Sequence, residues 1–288
     1  MRAGPPSQVP SRVRGPAPTL PARRTCAGRA AFRALPPRDD PPVDSALDRW
    51  IFLLLGLCLL AAWGVFAALR EDLRAPMLKL SAVGAVAGLV SEIWYFRDYW
   101  RPPTLAGVGR PSLEDALFGF AVTGVGFAVS KVVHGRRLTT GAPRRYGTTA
   151  ALAAGGFVAL AAGTGLFGWN SIFVSSAAFL AAAAVMAALR PDLAGTALES
   201  ALLLVVIVVP VYVVLFDVVS PAYWDRYWLL AGTAFGTRVL GNIPVTELLW
   251  YASWGALAGI GYEFTTGRTG ARRPGKRRSS PPDAVRHI

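Results

Sequence analysis

The chain of 288 residues is 53% hydrophobic and only 16% charged, with a mean hydropathy of +0.41. These values exclude an ordinary soluble domain and are typical of a membrane protein. The net charge of +13 is concentrated in two tails, residues 1–49 with +5 and residues 266–288 with +6, so no nucleic-acid partner is predicted.

The two tails are rich in proline and basic residues and show little apolar periodicity. We therefore predict that residues 1–49 and residues 266–288 are disordered. Basic segments next to membrane helices set topology or contact anionic lipid, so membrane lipid is an expected partner.

Residues suited to a metal or a cofactor are scarce. Cys26 and Cys58 are too few for a disulfide framework, and His134 and His287 are too few and too far apart for a histidine-based metal site. The close-spaced glycines lie within apolar runs rather than after a strand, where a phosphate-binding loop would begin. The sequence therefore predicts no metal and no cofactor.

Seven apolar stretches lie between the tails, and most are near the roughly 20 residues that cross a bilayer. They are too long for barrel strands and lack period-two alternation, which favours helices. The sequence thus predicts an all-α, polytopic membrane helix bundle of about seven transmembrane helices. The predicted stretches are residues 50–69, 76–96, 112–133, 149–168, 170–189, 197–219 and 244–265.

Two features interrupt this regular pattern. Pro210 lies within the sixth stretch, where a proline predicts a kink in the helix. Residues 226–241 are apolar but short and contain Arg226 and Arg238. We predict an interfacial or re-entrant link at this place, with an eighth span as the alternative.

The stretch at residues 92–126 returns in similar form about 130 residues later. In each copy an apolar segment ends in aromatic and charged residues, and a new helix begins after a proline, Pro111 or Pro244. Such self-similarity predicts an internal repeat, and because equivalent helices are offset by four spans, both copies run in the same direction. The predicted membrane domain, residues 50–265, divides into repeat one (50–133), a linking helix (149–168) and repeat two (170–265).

Arginine and lysine counts on the two sides of these spans place the C-terminus in the cytoplasm by the positive-inside rule. The arginine-rich N-terminal tail then falls on the opposite side, and an eighth span or a shorter N-terminus would remove that conflict. Arginine outnumbers lysine 27 to 3, which hints at a GC-rich bacterial genome. The expected location is a bacterial plasma membrane.

Carboxylates are the main candidates for function, since a charge within a membrane span is costly. Glu114 and Asp115 follow a proline at one helix start, and Glu247 follows a proline at the matching start. Helix capping is the alternative reading, because Ser112-x-x-Asp115 fits a capping box and first-turn acids complement the helix dipole. The carboxylates near predicted helix ends are Glu92, Glu114, Asp115, Glu199, Asp217, Glu247 and Glu263.

Aromatic residues accompany two of these acids at helical spacing. Glu247, Trp250, Tyr251 and Trp254 share one helix face, and Phe118 lies one turn after Glu114. A protonated acid beside aromatic rings suits a reaction that makes a carbocation, because rings stabilise positive charge without attacking it. An interfacial belt is the alternative for the aromatics at the helix ends, which are Trp94, Tyr95, Tyr99, Trp100, Tyr223, Trp224, Tyr227 and Trp228.

With these motifs the sequence resembles the lycopene cyclase domain of heterodimeric bacterial cyclases and their fused archaeal and fungal forms. Pro111-Ser-Leu-Glu114-Asp115 and Pro244-Val-Thr-Glu247-Leu-Leu-Trp250-Tyr251 are similar to the proline–glutamate motif of each half. The spacing here is Pro-x-x-Glu instead of Pro-x-Glu-Glu, and Leu248 stands where a second acid is expected, so the chain is identified as a divergent member.

The resemblance implies cyclisation of a linear carotenoid or related isoprenoid without net redox change. Glu114, Asp115 and Glu247 would then be catalytic, and the substrate would bind against the aromatic residues Phe118, Trp100, Trp228, Trp250, Tyr251 and Trp254. A non-enzymatic transporter or lipid-binding scaffold is the alternative function. Prenyl transfer is disfavoured, because Asp44-x-x-x-Asp48 alone does not make an aspartate-rich metal motif.

Overall fold

The computed structural model describes residues 47–271 of the chain, together with Met1 and Gly4. The described part is almost entirely helical, which confirms the predicted all-α class. The helices are α1 (Asp48–Leu69), α2 (Glu71–Asp98), α3 (Leu113–Val133), α4 (Tyr146–Gly165), α5 (Ser171–Leu189), α6 (Ala194–Tyr212), α7 (Tyr223–Tyr227) and α8 (Val245–Thr266). The short strands are β1 (Pro103–Thr104), β2 (Gly107–Val108), β3 (Arg137–Thr140), β4 (Arg238–Val239), β5 (Ile243–Pro244) and β6 (Arg268–Ala271).

Six described helical segments are long and apolar enough to cross a membrane, namely α1 to α5 and the segment Pro191–Val219 that contains α6. The seventh predicted span is α8, which has 22 residues but is less apolar than those six. Its position accounts for this difference, because α8 packs against α3, α5 and α6 and so faces protein over much of its surface. The described part of the chain is therefore that of a membrane protein, with six clear candidate spans and α8 as the less apolar seventh long helix.

The segment between α6 and α8 forms no further span within the described residues. It contains the five-residue helix α7, several turns and the β4–β5 hairpin. The predicted link at residues 226–241 therefore agrees with the structure, and the alternative of an eighth span is wrong.

Pro210 marks a change in helix type. α6 continues through Pro210, and the chain then becomes π-helical from Val213 to Val219. Proline lacks an N–H group and so removes one bond from the α-helical ladder, which makes a shift in hydrogen-bond register easier. The Ser220 N–H closes the segment on the carbonyl of Leu215, five residues earlier, at 2.9 Å.

Two corners between helices have nearly the same structure. Arg70 ends α1 with φ −136° and ψ 81°, and Arg190 ends α5 with φ −141° and ψ 76°. Each guanidinium binds the carboxylate two residues later, at 2.8 Å for Arg70–Asp72 and 2.6 Å for Arg190–Asp192. These matching corners support the proposal that α1–α3 and α5, α6 and α8 are related copies.

The strands join the ends of the helices in antiparallel pairs. The β1–β2 pair precedes α3 and the β4–β5 pair precedes α8, while β3 pairs with β6 beyond the other ends of these two helices. Because β6 covers Arg268–Ala271, this part of the predicted disordered tail 266–288 is ordered, and that prediction is wrong there. The rest of both predicted tails lies outside the described residues.

The aromatic residues at the helix ends form a core instead of the interfacial belt that was the alternative for them. Tyr99, Trp224 and Trp228 are at most 2% exposed, and Trp100 is 9% exposed. Trp100 and Trp228 pair with each other as an isolated antiparallel bridge, so the two similar segments meet face to face. Of the eight aromatics considered for a belt, only Trp94 is not buried.

Contacts along α3 fix the helices that surround it. Near its end, the buried Lys131 forms an ion pair of 2.6 Å with Glu263 of α8 and donates to the Gly259 carbonyl at 2.7 Å. Near its middle, Gly119 lies directly against Gly84 of α2, where an added Cβ would collide with the opposing backbone. The backbones of α2 and α3 therefore approach as closely as small residues allow.

Candidate active site

A cavity of about 80 Å³ lies among α2, α3, α5 and α8, with single contributions from α1 and α6. On this measure the space corresponds to roughly six water-sized groups. Its lining contains two carboxyl groups, Glu92 and Glu247, and three phenols, Tyr95, Tyr99 and Tyr212. The remainder is almost wholly apolar, so the two acids are the exceptional residues of the site.

Glu247 is positioned by two tyrosines from other helices. The Tyr212 hydroxyl donates a hydrogen bond to Oε2 of Glu247 at 2.5 Å, and the Tyr99 hydroxyl donates to Oε1. Thr246 and Tyr251 extend this network, since their hydroxyls lie 3.0 Å from that of Tyr99 and 3.1 Å from that of Tyr212. Both oxygens of Glu247 therefore have donors, an arrangement that suits an ionised carboxylate.

Tyr99 is a donor in this network and not an acid that gives up its proton. Burial, followed by the neighbouring Glu247 carboxyl, raises the pKa of Tyr99 well above its usual value near 10. The phenol therefore keeps its proton at any physiological pH and can hold Glu247 throughout a reaction.

Glu92 is the second carboxyl of the cavity, and its surroundings differ from those of Glu247. It is 6% exposed, and its Oε2 has no hydrogen-bond partner among the described residues. The indole of Trp100 lies beside it, and both Asp115 and Glu247 are close enough for electrostatic interaction. A buried carboxyl group with one oxygen left without a donor is better accommodated with a proton than as an anion.

An aromatic wall faces these two acids. Trp250 and Trp254 of α8 are stacked with centroids 5.9 Å apart, and Phe118 of α3 lies 5.9 Å from Trp250. The Trp250 indole donates to the Tyr95 hydroxyl at 3.0 Å, which in turn donates to Ser175 of α5 at 2.9 Å. This chain of hydrogen bonds ties α8, α2 and α5 together and holds the Trp250 ring in place.

Glu114 lies away from this cavity, although the sequence suggests it as the partner of Glu247. Its Oε1 accepts a hydrogen bond of 2.7 Å from the N–H of Leu105 in the β1–β2 turn, and it lines an outer apolar groove with Leu113 and Leu117. Glu114 and Phe118 were predicted to share one helix face, yet only Phe118 reaches the cavity. The carboxyl group that shares the cavity with Glu247 is therefore that of Glu92.

Asp115 has the structural role that was its alternative reading. Its Oδ2 accepts hydrogen bonds from the Ser112 N–H at 2.6 Å and the Ser112 hydroxyl at 3.1 Å, which completes a capping box at the start of α3. It lies near Glu92 but does not line the cavity.

The remaining predicted substrate contacts divide into two groups. Trp100, Trp250 and Trp254 line the cavity with Phe118, whereas Tyr251 and Trp228 lie behind it in the core. Tyr251 supports the site indirectly through its contact with Tyr212.

Four ionisable cavity residues were not among those assigned to catalysis or substrate binding from the sequence, namely Glu92, Tyr95, Tyr99 and Tyr212. Glu92 was one of the candidate carboxylates, and Tyr95 and Tyr99 were considered for an interfacial belt. A signal for the first three exists, because Glu92, Tyr95 and Tyr99 follow the spacing i, i+3, i+7 on one face of α2. Tyr212 lies in an apolar run without any recognisable motif, so only the packing of α6 against α8 reveals it.

No group of three or more histidine, cysteine, aspartate or glutamate residues within the described range could hold a metal ion. The groups that line the cavity are acids, phenols and aromatic rings, which are suited to moving protons and stabilising cations.

Comparison with known proteins bears on this site. The family model described as lycopene cyclase matches residues 170–265, which is about a third of the 288 residues. The matched segment extends from just before α5 to the end of α8. The match contains Tyr212, Glu247, Trp250 and Trp254, while Glu92 lies outside it. No curated protein and no solved structure matches the chain. Residues 170–265 are therefore similar to the lycopene cyclase family, within a chain whose described part has six helices apolar enough to cross a membrane.

Proposed function

We propose that this protein cyclises an end group of a linear carotenoid or related isoprenoid hydrocarbon by proton transfer, with Glu92 and Glu247 as the catalytic pair. The observation that carries the proposal is the difference between these two acids in one cavity. Glu247 has a phenolic donor on each oxygen, whereas Glu92 has a buried oxygen without a partner among the described residues. Two carboxyl groups in unlike surroundings are suited to opposite roles in proton transfer.

Glu92 is the proton donor in this proposal. The first step adds its proton to the terminal double bond of the substrate and leaves a tertiary carbocation. The neutral acid is favoured beforehand by burial with one oxygen, Oε2, left without a donor among the described residues, and the anion that forms is favoured by the adjacent carbocation. Trp100, which lines the cavity, has an indole N–H beside Glu92 that also supports the anion once the proton has left.

Ring closure and proton removal complete the reaction. A second double bond of the substrate attacks the cation, so that one carbon–carbon bond forms and the positive charge moves into the ring. Glu247 then removes a ring proton and a new double bond forms. No electrons are gained or lost, and the proton returns from Glu247 to Glu92 before the next cycle.

The lining favours a hydrocarbon over a polar substrate. The Ser91 hydroxyl donates to the Gly88 carbonyl at 2.8 Å and the Thr123 hydroxyl donates to the Gly119 carbonyl at 2.7 Å. These bonds are made within their own helices, so neither hydroxyl offers its hydrogen to a ligand. The aromatic wall also has no nucleophile that would trap a carbocation, and this supports a cation-forming reaction over simple lipid binding.

Expression in a host that accumulates lycopene tests the proposal. Pigments are extracted and separated by chromatography, and the amount of protein in the membrane is measured in parallel. We expect cyclic products from the wild type and at least a hundredfold loss for both Glu92→Gln and Glu247→Gln, because the amide can neither donate nor accept the transferred proton.

Glu114→Gln is the matched control, since it makes the same change in a buried carboxyl outside the cavity. It should retain most of the conversion. Loss of conversion in Glu114→Gln with retention in Glu92→Gln would favour the pair suggested by the sequence. Unchanged lycopene with well-inserted wild-type protein would reject the enzymatic proposal in favour of a non-enzymatic lipid-binding role.

A further inference from the structure

The exposed part of the cavity lining lies on α2, and the partly exposed Phe179 of α5 also lines the cavity. On α2 the lining residues Gly84, Ala87, Gly88 and Ser91 follow the spacing i, i+3, i+4, i+7 and thus form a single stripe. Ala87 is exposed, and Gly88 and Ser91 are partly exposed, although the carboxyl and phenol groups deeper in the cavity are buried. A surface that includes Ala87 on a membrane-spanning helix faces lipid, so the cavity communicates with the bilayer.

The opposite side of this opening is aromatic. Phe179 of α5 packs edge-on against Trp254 of α8 with centroids 4.8 Å apart. At the end of the stripe nearest Glu92, Trp94 continues the same face of α2. Its ring contacts that of Phe157 of α4 edge-on, with centroids 5.3 Å apart. The result is a groove with small residues on one wall and ring faces on the other, and we call it the α2–α5 groove.

The length of the groove can be obtained from the helix itself. Glu92 and Gly84 are eight residues apart on α2, which corresponds to about 12 Å at a rise of 1.5 Å per residue. The acids therefore lie at one end of the groove, and its other end reaches the middle of the 28-residue helix. An elongated ligand with its end group at the acids would run along this stripe into the membrane interior.

We infer that the α2–α5 groove admits a linear isoprenoid chain sideways from the bilayer and holds the part of the chain next to the reacting end group. This inference rests on the proposed function. The cavity of about 80 Å³ accommodates little more than an end group, so most of a long polyene must remain outside it. The short side chains of Ala87 and Ser91, at the exposed part of the lining, leave room for the chain, and the rings of Phe179 and Trp254 give it an apolar surface.

Blocking the groove with a large side chain tests this inference. Ala87→Trp places an indole in the opening, while Val86→Trp places the same side chain on the neighbouring, 63% exposed position outside the cavity lining. In the lycopene-accumulating host we expect Ala87→Trp to lower the yield of cyclic product at least tenfold. Val86→Trp should stay within about twofold of the wild type, with both variants equally abundant in the membrane and equal in melting temperature.

A binding measurement separates this inference from the proposed function. An achiral polyene held in a chiral protein site acquires circular dichroism in its visible absorption bands, and the same polyene in detergent does not. Purified full-length protein with Glu92→Gln, loaded with lycopene, should show this signal, retain it with Val86→Trp and lose it with Ala87→Trp.

The outcomes lead to different conclusions. If the wild type forms no cyclic product but the dichroism is present and is lost in Ala87→Trp, the cyclisation proposal fails and the groove remains supported. If lycopene shows no dichroism on the folded protein, or if Ala87→Trp binds and converts lycopene as Val86→Trp does, the groove is not the binding site and the inference is overturned.

Discussion

The two phenols that hold Glu247 provide the sharpest test of the site. Tyr99→Phe and Tyr212→Phe each remove one hydroxyl and leave the aromatic ring, so the packing of the core changes little. Each variant deprives one oxygen of Glu247 of its donor. The carboxylate then becomes less stable relative to the neutral acid, and a larger fraction of Glu247 is protonated and unable to accept a proton.

The expected size of this effect follows from the hydrogen bonds lost. A hydrogen bond to a charged group contributes about 1.5–3 kcal/mol. Since about 1.4 kcal/mol corresponds to a tenfold change in rate, each variant should convert lycopene roughly ten- to a hundredfold more slowly. The double variant should approach Glu247→Gln, because the two phenols act on the same carboxylate and their effects are not additive.

Tyr223→Phe is the matched control for this experiment. Tyr223 is completely buried, yet its hydroxyl has no hydrogen-bond partner among the described residues, and it does not line the cavity. Removal of that hydroxyl should leave conversion unchanged and stability equal or slightly higher. Initial rates of pigment conversion in isolated membranes, normalised to the amount of protein, give the comparison. Rates of Tyr99→Phe and Tyr212→Phe equal to that of Tyr223→Phe would refute the assigned role of Glu247.

Three further predictions concern the stability of the bundle and are checked by thermal unfolding in detergent. Lys131→Met leaves Glu263 buried without its cation and should lower the free energy of unfolding by about 3–5 kcal/mol, whereas the double variant with Glu263→Met should recover most of this loss. A double variant as unstable as the single one would argue against the ion pair. Gly84→Val should lower the melting temperature strongly, because the new side chain collides with α3, while Gly261→Ala, which meets open space, should not. Asp115→Ala should cost about 1 kcal/mol through loss of the capping box, and an unchanged melting temperature would contradict that role.

Local sequence signals were sufficient for much of the architecture. The apolar stretches lie within a few residues of the observed long helices, because apolar length and a helical backbone are both required in lipid. Ser112 and Asp115 similarly predict a capping box from their spacing alone, and the structure contains it. The resemblance to lycopene cyclases was also drawn from short motifs, and the family match over residues 170–265 confirms it.

The partner of Glu247 could not be obtained in this way. In the sequence, Glu114 follows Pro111 as Glu247 follows Pro244, which suggests that these two glutamates act together. In the folded chain, however, Glu114 bonds to the β1–β2 turn, and Glu92 of α2 lines the cavity with Glu247. The choice depends on how α2, α3 and α8 pack and rotate against one another, which is set by long-range contacts such as Gly84–Gly119. No local pattern encodes those contacts.

The aromatic helix ends illustrate the same limit. Tyr99 and Trp100 have the composition of an interfacial belt, and only the meeting of the two similar segments at Trp100 and Trp228 buries them. Sequence alone thus determined that this is a helical membrane protein with acids and aromatic residues at matching helix starts. Tertiary structure decided which acids share a cavity, because that depends on distances between residues far apart in the chain.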